Sequence, residues 1–187
     1  MVSHYRILAD PNAIDRWHLA APLDKRGEEV DARIFTCSER YEGPSPLVIP
    51  QRRAGRPQNF NFADFDMPVV TPEICRSLAS VAGEAVQCIP VIVDPSLERF
   101  EILNVLDLVE CVDEERSEIT KWTADDGRPD KIGQYRMITK LVLNEKKISG
   151  HRIFRVAGWE VALIVDENIK LSLERKKVSG IRFDAVS

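Results

Sequence analysis

The sequence predicts an α+β fold, mainly antiparallel sheet with a few packed helices, and three observations lead there. Apolar runs rich in β-branched residues recur along the chain in lengths of four to eight, which suit strands better than helices. Two segments carry the end signals of helices. The connections between consecutive strands are mostly too short for a helical crossover, which favours antiparallel pairing over a doubly wound sheet.

The clearest predicted strands are Val86 to Val93, Phe100 to Val105, Tyr135 to Leu143, Arg152 to Val156, Glu160 to Val165 and Gly180 to Val186. In Phe100 to Val105 and Arg152 to Val156 polar and apolar positions interchange, as where one sheet face is buried and the other wet. One helix starts at Thr71 as N-cap, with Pro72 at the first helical position and Glu73 at the positive dipole end. Ile74, Leu78, Val81 and Ala82 form its apolar stripe, and Gly83 ends it. A second runs from Asp166 as cap to about Lys177, with Ile169, Leu173 and the stem of Lys170 inward and Arg175, Lys176 and Lys177 at the negative end.

Residues 40 to 60 hold Gly43-Pro44-Ser45-Pro46, Pro50, Gly55 and Pro57, a density of turn formers that reads as a long irregular connection. It is read as separating a small N-terminal lobe, about 1–60, from a main lobe, about 61–187, within one domain. Asp125-Asp126-Gly127-Arg128-Pro129-Asp130 is a second polar loop. No internal repeat is visible.

At 187 residues, 44% hydrophobic and 30% charged, the chain can bury one sizeable core without disulfides or metal. Its net charge of −4 argues against general nucleic-acid affinity, which depends on concentrated Lys and Arg. No signal-peptide core follows Met1, and no run reaches the ~18 apolar residues of a membrane span. A soluble, cytoplasmic protein with no membrane role is expected. Cys37, Cys75, Cys88 and Cys111 are widely spaced with no Cys-x-x-Cys pair, which predicts reduced, mostly buried thiols and no zinc motif.

Catalytic signals are weak. His4, His18 and His151 have no Ser, Cys or carboxylate beside them in a recognised arrangement. Phosphate-binding loops and dinucleotide turns are missing. Pro129-Asp130 followed by Glu145-Lys146-Lys147 matches the order of a metal-dependent nuclease, but Asp130 falls in a turn-rich loop and Glu145 at a strand end rather than on adjacent strands. Arg52, Arg53 and Arg56 form a basic cluster without interleaved aromatics for base stacking, and a solvated loop is the plainer reading. The strongest charge feature is acidic: Asp107, Glu110, Asp113, Glu114, Glu115 and Glu118 fall together with Arg116 as their one basic neighbour. Trp122, Asp125, Asp126 and Asp130 follow. Such a region suits capture of a basic partner, and a solvated segment is the alternative.

Several blocks resemble a known family. Arg16-Trp17-His18-Leu19 with Gly27-Glu28-Glu29-Val30-Asp31, and Gly55-Arg56-Pro57 with Asp64-Phe65-Asp66-Met67-Pro68-Val69-Val70, form the first two. Leu103-Asn104-Val105 leading into Cys111 to Glu118, then Gly133-Gln134-Tyr135-Arg136-Met137, form the centre. Phe154-Arg155, Gly158-Trp159, Leu163-Ile164-Val165 and Gly180-Ile181-Arg182-Phe183 complete the series. In order and coverage these resemble the eleventh family of immunity proteins from bacterial polymorphic-toxin systems. The resemblance implies an antitoxin that protects its cell by binding a cognate toxin domain encoded nearby, often a nuclease, with no catalytic residue and no cofactor.

A basic nuclease cleft can be filled by acidic side chains, which makes Asp113, Glu114, Glu115 and Glu118 the candidate toxin-binding carboxylates. Trp122 and Tyr135 are the candidate anchors, because aromatic anchors usually set dissociation while rim charges set association. Each could equally be structural, with Arg116 and Ser117 holding a turn and Trp17, Trp122 or Trp159 filling the core. No metal site is expected, and oligomeric state is left open. A metal-dependent nuclease or hydrolase is the alternative function, and a non-inhibitory scaffold the third.

Overall fold

Strands β1 (His4–Ala9), β2 (His18–Leu19), β3 (Leu47–Arg53), β4 (Phe60–Phe62) and β5 (Pro68–Val70) precede helix α1 (Pro72–Ala82). Then come β6 (Val86–Asp94), β7 (Glu98–Val105), β8 (Leu108–Val109), β9 (Glu118–Lys121), β10 (Tyr135–Lys140), β11 (Ile153–Val156), β12 (Trp159–Asp166), α2 (Glu167–Arg175) and β13 (Ile181–Val186). This computed structural model describes residues 3–186. Met1, Val2 and Ser187 lie outside them, so the amino terminus at Met1 adds nothing to the expectation made of it.

The strands form a six-stranded sheet in the order β2-β3-β6-β7-β5-β4, a five-stranded sheet in the order β13-β1-β12-β11-β8, and the separate ribbon β10-β9. Pairing is antiparallel except for β3 with β6 and β8 with β11, so the fold is α+β, as predicted.

Alternation along the strands sorts the side chains into three cores. Where the two sheets and both helices meet, Val86, Leu103 and Val105 join Ile153, Leu163, Val165, Ile74, Leu78 and Leu173. On the other face of the six-stranded sheet Ile89, Val91, Phe100 and Ile102 pack against Trp17, Leu19 and Phe35 of the N-terminal segment. On the other face of the five-stranded sheet Phe154, Val156, Ala162 and Ile164 pack against Ile138, Leu141, Leu143 and Ile148. The third core therefore seats the β9–β10 ribbon.

Both helices form where their end signals place them. Asp166 caps α2 by accepting from the Ile169 N–H at 2.8 Å. Lys170 lays its ammonium over the rings of Tyr5 and Phe183, 4.9 and 5.8 Å from their centroids, while pairing with Glu174. Thr71 has the extended backbone of an N-cap but makes no side-chain cap hydrogen bond; Pro72 has already removed one free N–H there.

Three expectations need correction. Residues 47–53, read as irregular, are strand β3, with Leu47 and Ile49 fully buried. Their short alternation was hidden by prolines on either side, and Pro50 is tolerated at the end of the paired stretch. The strand from Tyr135 stops at Lys140 rather than Leu143, because Leu141, Val142 and Leu143 all turn into buried positions. Cys75 and Cys88 are joined in a disulfide, not reduced: α1 folds back over β6 and brings together residues whose spacing carries no such signal. Cys37 is exposed and Cys111 buried, both free.

Gly180 shows how tightly the C-terminal strand is led in. Its φ is +94°, and a Cβ there would lie 2.1 Å from the Phe60 carbonyl oxygen, so only glycine fits. Among the described residues no helix is long and apolar enough to cross a membrane.

Candidate interaction surface

The acidic segment enters the ribbon through a turn held by its own polar groups. The Ser117 N–H donates to the Asp113 carbonyl at 2.9 Å, and the Arg116 N–H to the Asp113 carboxylate at 3.2 Å. Ser117 then exchanges two hydrogen bonds with Val142, at 3.2 and 3.0 Å, which fastens the turn to the third core. Asp113 is thus a turn former whose carboxylate faces inward, with Arg116 3.8 Å away.

Glu114 is drawn into a second cluster. It accepts from Lys121 at 2.7 and 2.9 Å and from the Tyr135 hydroxyl at 2.7 Å, while the Lys121 ammonium lies 5.5 Å from the Tyr135 ring centroid. The Lys121 hydrogen bonds, reinforced by Tyr135, hold the Glu114 carboxyl below its usual range. Burial, then the bond to Glu114, pushes the Tyr135 phenol up to about 12. At neutral pH Tyr135 is therefore a fixed donor and Glu114 a fixed acceptor. The Tyr135 ring also covers Gly158, whose φ is +79° and whose Cβ would meet that ring at 3.3 Å.

Glu118 lies on β9 opposite Lys140 and accepts from the Thr139 hydroxyl at 3.1 Å. Trp122 is half-buried at the ribbon's far end, with Lys131 and Arg136 over its ring at 5.5 and 4.9 Å. Arg136 in turn pairs with Asp126. Glu115 is exposed and makes no ion pair with a described residue, and Glu110 and Asp125 share that condition.

The structure thus gathers five of the six candidate residues on one ribbon and its entry turn, with Trp122 at the end. It also changes their electrostatics, because Lys121, Arg116, Arg136 and Lys140 offset much of the negative charge. Arg116 is visible in the sequence as a basic neighbour, but the roles of Lys121, Arg136 and Lys140 and the Glu114–Tyr135 bond are not, because strand pairing and not sequence proximity brings Tyr135 to Glu114 across 21 residues. Exposed Met137 on β10 and Ile132 in the loop that joins β9 to β10, 50% and 52% accessible, add apolar surface at the ribbon. A cavity of about 440 Å³ lies at its base, lined in part by Glu110, Glu114, Gln134, Tyr135 and Lys147.

The other sequence candidates are placed differently. Asp130 sits in a short 3-10 turn with its carboxylate gripped by Arg128 at 3.0 and 2.8 Å. Glu145 borders a different cavity, of about 360 Å³, with His4, Ser149, His151 and Asp166. There His151 Nδ1 lies 2.8 Å from the Asp107 carboxylate, a pairing across 44 residues that local sequence does not reveal. In the basic cluster Arg52 is paired with Asp64 at 2.5 Å. Trp17 is buried and donates to Asn61 at 2.6 Å, a core role. Asn104 donates to the Glu39 carbonyl and to Gln87, pinning the segment before β3.

No curated protein matches the chain. The model of the Immunity protein family (Imm11) matches residues 14–187, a span that takes in the six-stranded sheet, both helices, the ribbon and every strand of the five-stranded sheet except β1. The chain therefore belongs to that immunity protein family.

Proposed function

We propose that this protein is an antitoxin that neutralises a cognate toxin by direct, stoichiometric binding in the cytoplasm. Its toxin is a nuclease, and the β9–β10 ribbon with its acidic entry turn meets the nuclease's basic cleft. One observation carries the site: Glu114, Lys121 and Tyr135 lock the ribbon's geometry and leave Glu115 and Glu110 exposed beside it. A rigid frame with free carboxylates at its rim loses little entropy on docking. Free rim charge speeds the approach of a basic surface. Trp122, Met137 and Ile132 supply anchors whose burial slows release.

Association kinetics with the toxin domain encoded by the neighbouring gene test this reading. Reversing charge at Asp113, Glu114 and Glu115 together slows association more at low salt than at high salt. Because Asp113 and Glu114 also hold the turn, Glu115→Lys is the cleaner variant and shows the same salt dependence. Identical rates for wild type and Glu115→Lys at both ionic strengths reject the site. Trp122→Ala raises the dissociation rate by roughly 30-fold, the effect of a ~2 kcal/mol anchor.

A second reading, hydrolysis at the cavity lined by His4, Ser149 and His151, draws on the His151–Asp107 pair. It predicts that His151→Ala abolishes protection while binding persists. The antitoxin reading predicts that protection survives this change.

A further inference from the structure

Far from the ribbon, the first core holds a cluster the antitoxin reading does not use. Cys88 faces Leu103 across the β6–β7 ladder and Pro90 faces Glu101, so Cys88 and Glu101 project from the same sheet face as diagonal neighbours. Helix α1 crosses that face and brings in Cys75, which is fully buried. One ligand atom from each of Cys75, Cys88 and Glu101 lies within 4.8 Å of the others, the one such trio among the described residues. Glu101 cannot withdraw easily, because its backbone is also paired with Val70 on β5.

The oxidised state leaves this cluster incomplete. The Glu101 Oε2 atom is buried and has no hydrogen-bond partner, and a disulfide has no proton to give it. An orphaned carboxylate oxygen costs free energy that a cation or a donor would recover. Two thiolates and a carboxylate are a ligand set for Zn²⁺, which takes sulfur and oxygen together in tetrahedral sites.

We propose that Cys75, Cys88 and Glu101 form a redox-gated zinc site. A dithiol reductant supplies two electrons and two protons, the sulfur–sulfur bond between Cys75 and Cys88 breaks, and the reductant leaves as its own disulfide. Zn²⁺ then displaces the two thiol protons to solvent and forms two bonds to sulfur and one to Glu101. Water takes the fourth position; Glu101 also lines a cavity of about 440 Å³ beside the cluster's carboxylate. Arg76, whose charge acts on Glu101, balances the single net negative charge of three anionic ligands around a dication. The oxidised chain keeps α1 tied to β6 through sulfur, and the reduced chain ties them through metal.

The test uses the full chain in a Cys37→Ser background, which removes the exposed thiol. Zinc retained after desalting is counted by elemental analysis, and Co²⁺ titration reports thiolate ligation by its charge-transfer absorption. The reduced chain retains one zinc, the oxidised chain none, and Glu101→Gln weakens the site at least about tenfold. Cys88→Ser abolishes it. If Cys88→Ser does not fold, Glu101→Gln decides, since it keeps both sulfurs and the disulfide. The proposal is overturned if reduced and oxidised chains retain equal zinc, if Glu101→Gln binds as tightly as wild type, or if reduction unfolds the chain.

Discussion

Tyr135 and Cys111 share a physical situation: each is an acid kept protonated by its surroundings. Burial pushes the Cys111 thiol up to about 11 from an ordinary 9.0, and burial with Glu114 pushes the Tyr135 phenol up to about 12 from 10.0. A raised pKa in the folded state means that the unfolded chain releases its proton first. The stabilisation is complete below about pH 9 and is lost as pH rises through 11 and then 12. Denaturant unfolding between pH 8 and 12 should show this decline, with Cys111→Ala flattening its lower half and Tyr135→Phe its upper half. Wild-type-like slopes in both variants would contradict the assignment. At this scale the sequence could mark Tyr135, Trp122 and the carboxylates as unusual. It could not pair Glu114 with Lys121 and Tyr135, or His151 with Asp107, because those neighbours are chosen by strand register and chain return.

At the scale of elements, β11 carries the least expected residue. Arg155 shares the face of Ile153 toward the first core, and it is fully buried. One nitrogen donates to the Glu160 carbonyl at 2.5 Å, while Nε and Nη2 have no hydrogen-bond partner. Burial draws the guanidinium down to about 10, which still leaves it charged at neutral pH. The charges of Asp66 and Glu160 offset part of the cost of burial, but a buried guanidinium with two nitrogens unpaired still opposes folding. Arg155→Met keeps the length of the side chain without the charge and should stabilise the protein by about 1–4 kcal/mol, read as a higher urea midpoint. A lower midpoint would show that Arg155 is better compensated than its hydrogen bonds suggest. The sequence places this strand, as it places β6, β7 and β12. It reads the interchange of polar and apolar positions as one wet face, whereas all of β11 is buried because core packs on both sides of its sheet. It misread β3, where Gly43 to Pro46 and Pro50 outweighed Leu47 and Ile49. It could not foresee the ribbon's short partner β9, because Glu118–Lys121 is mostly exposed and carries no apolar alternation.

For the molecule as a whole, three cores divide the work. The first joins the sheets and helices, the second holds the N-terminal segment against the six-stranded sheet, and the third seats the ribbon proposed to meet the toxin. The chain's net charge of −4 is modest, and the ribbon's basic residues offset much of its local acid. Long-range attraction alone therefore gives fast capture but not tight inhibition, which has to come from buried contacts. An inhibitor of this kind is consumed mole for mole by its target, whereas an enzyme that inactivates a toxin is not. The most direct measurement is residual nuclease activity of the cognate toxin, at concentrations well above the dissociation constant, against increasing amounts of the purified chain. Binding predicts a straight decline to zero at a fixed molar ratio, independent of incubation time. Complete loss at a small fraction of that ratio, deepening with time, would contradict it.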